Sequence, residues 1–247
     1  LRQLDKLTMI SFKQHLAEGV NDPAIFKAIF LAGGPGSGKS FIAGKTGLTS
    51  LGYKIVNSDD AFETAMKKAG IEMNPDNIFS VQGQEIRGRA QKLTGKRQQQ
   101  YIDGRLGLVI DGTGKDIEKV KGQAKKLKDI GYDVAMILVN TDIETALERN
   151  RQRDRSLPDG EVQKYWKSVQ ANIGAFQAMF GKKNFLVVDN TTGKDYKSET
   201  LRAYRDAVKF TKSPPDNSKA KKWIEAEKNY ELGAQAISCY FTFVIWD

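Results

Sequence analysis

The stretch Gly33-Gly34-Pro35-Gly36-Ser37-Gly38-Lys39-Ser40 constrains the chain more than any other part of it. It follows the apolar run of residues 25–32 and precedes the helix-compatible residues 41–45, so strand, glycine-rich turn and helix succeed one another directly. Gly33 and Gly38 allow backbone conformations that a side chain would forbid. Successive N–H groups can then point into one concavity and wrap the oxygens of a polyphosphate. Lys39 is placed to reach β- and γ-phosphates and the Ser40 hydroxyl to hold Mg²⁺, while the helix N-terminus adds a favourable dipole. The loop alone leaves the fate of the phosphate open, to water or to the hydroxyl or phosphate of a substrate.

Four further apolar runs, at residues 53–57, 106–111, 133–140 and 184–189, read as strands separated by helical segments. Five strands alternating with helices, with the phosphate loop after the first, predict an α/β fold built on an open, doubly wound parallel sheet. A chain of 247 residues with 40% hydrophobic content suffices for one such domain with appendages. The expected domain covers residues 1–212, opening with a helix in residues 1–22. Residues 213–247 then hold a linker, a charged helix and an apolar tail at 236–246.

In parallel sheets of this kind ligands sit beyond the carboxyl ends of the strands, so the residues emerging there carry the chemistry. After strand two come Asp59 and Asp60. A carboxylate in that place can accept the proton of an attacking hydroxyl or help place a metal, or it can cap the helix expected at 61–69. Asp59 is assigned to chemistry and Asp60 to capping. Strand three ends in Asp111 and continues through Gly112-Thr113-Gly114, the place of a metal-holding carboxylate opposite a phosphate loop. The helix after strand four, read from residue 142 to about 155, carries Arg149, Arg151, Arg153 and Arg155. Arg149 and Arg153 share one helical face, as do Arg151 and Arg155, and one row facing the phosphate loop would neutralise charge on a transferring phosphoryl group. The alternative is a solvated basic helix paired with Glu144, Glu148 and Asp154. A polar, basic helix at 85–102, with Arg87, Arg89, Lys92, Lys96 and Arg97, offers acceptor contacts or an ordinary solvated face. Asn190, Thr191, Thr192 and Gly193 reach the same edge after strand five, within range of a nucleotide base. The arginine-dense segment and the carboxylate after strand two together favour transfer to an acceptor over hydrolysis.

Composition narrows the chemistry further. Cys239 is the single cysteine, so an internal disulfide and a Cys-based zinc cluster lack their parts, and the single histidine, His15, lies in the helix-like opening segment far in sequence from any candidate nucleophile, which disfavours a Ser-His-Asp triad. The lone thiol fits a reducing compartment, no apolar run is long enough to cross a bilayer, and a soluble cytoplasmic protein is expected. A net charge of +9 and a pI near 9.4 favour polyanionic partners, although residues 115–128 and 209–228 place many lysines where solvated helix faces are expected.

In combination, the loop at 33–40, Val56-Asn57-Ser58-Asp59-Asp60, Val109-Ile110-Asp111-Gly112-Thr113-Gly114 and the arginines of 149–155 resemble the zeta-toxin and polynucleotide-kinase group of P-loop kinases. The likeness covers roughly residues 26–190. It implies that Gly34, Pro35, Gly36, Ser37, Gly38, Lys39, Ser40 and Phe41, with Arg149, hold ATP, and that Ser40 and Asp111 hold Mg²⁺. Lys39, Asp59, Arg149 and Arg153 would be catalytic, with Asp59 the base for the acceptor hydroxyl. Acceptor contacts would come from Asp59, Arg89, Asp111 and Thr113. Phage-type polynucleotide kinases carry an arginine three residues after the base, where this chain has Phe62; zeta toxins phosphorylate a UDP-linked amino sugar. The basic balance leans towards a hydroxyl of nucleic acid or a nucleotide-like molecule. A kinase of a small nucleotide or nucleotide sugar is the alternative, and an ATPase or nucleotide-switched module without acceptor is a third reading.

Overall fold

A computed structural model describes residues 19–153 and 156–230. Most of the expected leading helix with His15, the residues Asp154 and Arg155, and the apolar tail with Cys239 lie outside the described residues.

Five strands, β1 (Lys27–Ala32), β2 (Lys54–Val56), β3 (Leu108–Asp111), β4 (Asp133–Asn140) and β5 (Phe185–Asp189), form one all-parallel sheet in the order β2-β3-β1-β4-β5. The phosphate-loop strand is central, so its loop emerges between the ends of β3 and β4. Alternation along β1 sends Ala28, Phe30 and Ala32 to one face and Ile29 and Leu31 to the other, and both faces are buried. On the first face pack α5 (Ile117–Asp129), α7 (Asp159–Phe180) and a last helix, α9, at 218–230. On the second pack α1 (Lys39–Lys45), through Ile42, and α8 (Tyr196–Lys212), through Ala203 and Ala207.

The segment 213–217 is tied to the base of the sheet. Ser213 Oγ accepts from the Lys27 ammonium at 3.2 Å, and the Asp216 N–H donates to Asp133 at 3.1 Å. Ala220 is fully buried and Trp223 meets Phe26 edge-on at 5.4 Å, so α9 belongs to the packed core. No helix among the described residues is long and apolar enough to cross a membrane.

Between β2 and β3 the chain departs from expectation. The helix α2 spans Ser58–Lys68, beginning at Ser58, with Asn57 as its N-cap. The stretch 71–84, read as loop, contains α3 (Pro75–Phe79), and the basic helix α4 is longer than expected, Val81–Asp103. Asn74 and Ser80 cap these helices through side-chain oxygens, a signal present in the sequence but masked by the clustered Asn and Pro. Nor is α4 only a surface helix: Ile86 and Ala90 bury against Phe62, Met66 and Ile78, giving this three-helix insertion a hydrophobic cluster of its own.

Candidate active site

The phosphate loop is shaped by close approach as much as by dihedral freedom. Gly36 and Gly38 adopt positive φ, 76° and 78°, whereas Gly33 is required for space: a Cβ there would lie 2.6 Å from Ser37 Oγ and 2.8 Å from the Val139 carbonyl oxygen. A Cβ on Gly36 would fall 2.1 Å from the Ala146 carbonyl oxygen. The loop is therefore wedged against the helix α6 (Ile143–Arg151) that carries the arginines. Gly38 opens α1 without any side-chain cap, leaving the first N–H groups of that helix to the loop cavity. Ser37 Oγ is buried in the loop with no hydrogen-bond partner, an orphan that a phosphate oxygen would satisfy. Gly34 and Pro35 form the outer turn, with the Gly34 carbonyl accepting from the Ser37 N–H at 3.1 Å.

At the far end of the loop Lys39 makes an ion pair with Asp111. The other Asp111 oxygen accepts from Asn57 Nδ2 at 2.9 Å, and the same amide nitrogen reaches Asp60 Oδ1 at 3.3 Å. Asn57 Oδ1 meanwhile accepts the Asp59 N–H at 2.8 Å. One asparagine thus caps α2 and bridges a carboxylate of its first turn to the carboxylate that ends β3. The capping expected of Asp60 is done by Asn57, whose amide nitrogen Asp60 shares with Asp111. Partial burial pushes the Asp60 carboxyl above the usual carboxylate range, the Asp111, Asp59 and Glu63 carboxylates add to the rise, and Lys39 opposes it. Asp59 lies in the same first turn, and both residues are exposed to solvent. Thr113 acts through its backbone, its carbonyl accepting the Gly33 N–H at 3.2 Å.

The arginine row is shorter than its sequence suggests. Because α6 ends at Arg151, Arg153 lies beyond the helix, exposed, and shares no helical face with Arg149. Among the described residues of the row it is Arg149 that is brought to the loop, donating to the Asn190 carbonyl at 2.8 Å. Its Nη1 would be 3.6 Å from a Cβ on Gly38. Arg151 pairs with Asp159 at the start of α7 rather than with Glu144 or Glu148. Asp142 anchors α6 by accepting from the Thr145 N–H at 2.6 Å and its hydroxyl at 3.0 Å, contacts that hold its own carboxyl low. Asn190 is the residue that sequence reasoning undervalued. Read only as a neighbour of the nucleotide base, it is 7% exposed, and its side chain donates to the Ser37 carbonyl at 2.8 Å, pinning the phosphate loop to the end of β5. Phe41 is 46% exposed and meets Tyr196 edge-on at 5.4 Å. Arg89 points outward to Glu85 at 3.6 Å and is not drawn to the site by any contact among the described residues.

Comparison with known proteins gives this geometry a family. A model of the zeta toxin family matches residues 17–200, more than half of the chain. The chain belongs to the zeta toxin family. Its fold is that of a P-loop kinase, as the sequence resemblance implied. Among solved structures, a chain of the AvrRxo1-ORF1:AvrRxo1-ORF2 complex with sulphate ions is 17% identical, with a TM-score of 0.53 over 74% of this chain and 62% of that one. The same complex with ATP gives 16%, 0.54, 76% and 64%. A chain from the PezAT chromosomal toxin-antitoxin system of Streptococcus pneumoniae gives 16%, 0.45, 76% and 87%. This zeta toxin family member therefore spans less than two thirds of the first two structures, and the likeness at that identity is one of fold. No curated protein matches the chain.

Proposed function

We propose that this chain is a kinase that moves the γ-phosphate of ATP, with Mg²⁺, to a hydroxyl of a nucleic acid or nucleotide-like acceptor. The observation that carries the reading is the convergence of Lys39, Asp111, Asn57 and Asp60 beside a loop whose Ser37 hydroxyl and helix N–H groups lack partners. Family membership supports it. An acceptor is favoured over water because the end of β3 and the first turn of α2 present carboxylates beside the loop, the latter with a raised pKa suited to taking a proton.

In the proposed reaction the acceptor hydroxyl gives its proton to a first-turn carboxylate of α2 while its oxygen bonds to the γ-phosphorus. The bond from that phosphorus to the β,γ-bridging oxygen breaks, and ADP leaves. Lys39 exchanges Asp111 for phosphate oxygens, and Arg149, held by Asn190, neutralises charge on the β4 side. Arg153 and Phe41 remain proposed partners of the phosphates and of the nucleoside. The sequence favoured Asp59 as base; the network with Asn57 and Asp111 favours Asp60, and the two are separable. A magnesium site here needs only one or two carboxylates besides phosphate oxygens, and Ser40 with Asp111 fits that donor set. There the ion would neutralise charge developing between the β- and γ-phosphates.

The test uses labelled ATP with a panel of acceptors: 5′-hydroxyl oligonucleotides, nucleosides, nucleotides and a UDP-linked amino sugar. Removing a general base lowers transfer by about 10²–10⁴-fold. Asp60→Asn is expected to do so with ATP still bound, and Asp59→Asn to do less. The reverse order returns the role to Asp59; failure of the wild-type chain to bind ATP with magnesium sinks the kinase reading.

A further inference from the structure

We propose that the cleft between α1 and α8, on the second face of the sheet, is a binding site for single-stranded nucleic acid. The inference goes beyond the kinase reading and uses neither the phosphate loop nor the carboxylates beside it. The cleft, about 430 Å³ in volume, is lined by Lys45, Tyr196, Lys197, Thr200, Leu201 and Tyr204. Phe41 adjoins it: its ring meets Tyr196 edge-on at 5.4 Å, and Lys45 Nζ lies 5.7 Å from its centroid. Tyr196 and Tyr204 are 40% and 41% exposed, and Leu201 is exposed further, at 54%. Large apolar side chains gathered in water on one surface mark a place of contact.

The fold explains how the patch arises. Helices α1 and α8 follow the parallel strands β1 and β5, so both run back along the sheet in one direction, and their first turns bring Phe41 to Tyr196. The inner face of α8 is small, Ala203 and Ala207, whereas residues 196, 200 and 204, with 197 and 201 beside them, form an outer stripe at helical spacing. Two of the described lining residues are lysines and none is acidic. Asp195 is engaged in capping α8, and Glu199 pairs with Arg202 at 2.6 Å. Rings interleaved with lysines match a single strand, in which every base offers a face to stack and every linkage a negative charge. A duplex keeps its base faces stacked inside, and an acidic peptide leaves the rings without a planar partner. The net charge of +9 attracts such a polyanion from a distance.

The experiment follows the anisotropy of a fluorescein-labelled oligothymidylate of about ten nucleotides against the full chain, with and without a non-hydrolysable ATP analogue and magnesium. Binding is expected in both conditions, and an abasic strand of the same length is expected to bind about tenfold more weakly or worse. Tyr204→Ala is expected to weaken binding of the base-bearing strand by about tenfold, with analogue affinity and unfolding midpoint unchanged. Lys45→Gln combined with Lys197→Gln is expected to flatten the slope of log affinity against log salt by about 1.4, the share of two phosphate contacts on a single strand, whereas Tyr204→Ala leaves that slope as it is. The inference is overturned, and the kinase reading left standing, by any of four results: no binding by wild type, displacement of the strand by the analogue, equal binding of the abasic strand or by Tyr204→Ala, or an unchanged slope in the lysine variant. Failure of the analogue to bind while the strand still does sinks the kinase reading and leaves the cleft its ligand.

Discussion

Replacing Asn190 by alanine tests whether the phosphate loop is held in shape from β5. The side chain is 7% exposed and donates one bond, 2.8 Å, to the Ser37 carbonyl. It packs so closely that a Cβ on Gly38 would sit 2.2 Å from its Nδ2. Deletion removes a hydrogen bond worth about 1 kcal/mol net and leaves a buried carbonyl unpaired, which raises the total to about 1–3 kcal/mol. In a domain of this size that corresponds to a fall in Tm of about 4–8 °C for the middle of the range. Urea unfolding with linear extrapolation measures the loss directly, and titration with ATP and magnesium reads its share in the loop. If about 1.4 kcal/mol of the loss is the cost of ordering the loop, ATP affinity falls about tenfold. Asn190→Asp sharpens the test, because it preserves size but sets a carboxylate against the Ser37 carbonyl. It should be at least as damaging. Stability within about 0.5 kcal/mol of wild type, with ATP affinity unchanged in both variants, would refute the pinning.

Three other outcomes are expected. Gly36→Ala must relieve a Cβ 2.1 Å from the Ala146 carbonyl oxygen at φ 76°, so a loss above about 2 kcal/mol and weakened ATP binding should appear in unfolding and titration curves. For Asp60 the folded pKa is raised, so the folded state binds the proton more tightly and the ionised side chain opposes folding. Stability from this group is present below the ordinary carboxylate range and lost as pH rises through the raised pKa. Asp60→Asn should accordingly be more stable than wild type in urea at pH 7, with the difference closing in acid; an unchanged gap across that range would contradict it. Asp133→Ala strands the ammonium of Lys27, whose side chain is 2% exposed, and should cost about 3–5 kcal/mol; Lys27→Met with Asp133→Leu should recover most of it.

Much of the fold was legible because its signals are local. The loop at 33–40, the apolar strands and the glycine and proline breaks each dictate nearby backbone, and a parallel sheet follows from their alternation. The insertion between β2 and β3 was less legible because α4 has only a narrow buried stripe, Ile86 and Ala90, within a polar and basic helix. At the site, motif and position single out Lys39 and Asp111, and their side chains form an ion pair. Asn57 and Asn190 were underread because their work is to bond groups distant in sequence, Asp111 and the Ser37 carbonyl, and nothing in spacing reveals such a partner. Arg153 was overread for the opposite reason: helical spacing was extended past Arg151, where α6 ends.

The strand order divides the work of the site in a way that the motifs do not. With β1 central, the loop has β3 and β2 on one flank and β4 and β5 on the other. The flank of β4 and β5 supplies Arg149 and Asn190, which bind each other and the loop. The opposite flank supplies Asp60 and Asp111, like charges that share one Asn57 amide. Unsatisfied polar groups are tolerated where a ligand completes them. A nucleotide bound on the first flank would find its contacts preformed, whereas an acceptor on the second would relieve strain already present, so acceptor binding should stabilise the folded chain beyond what ATP alone achieves.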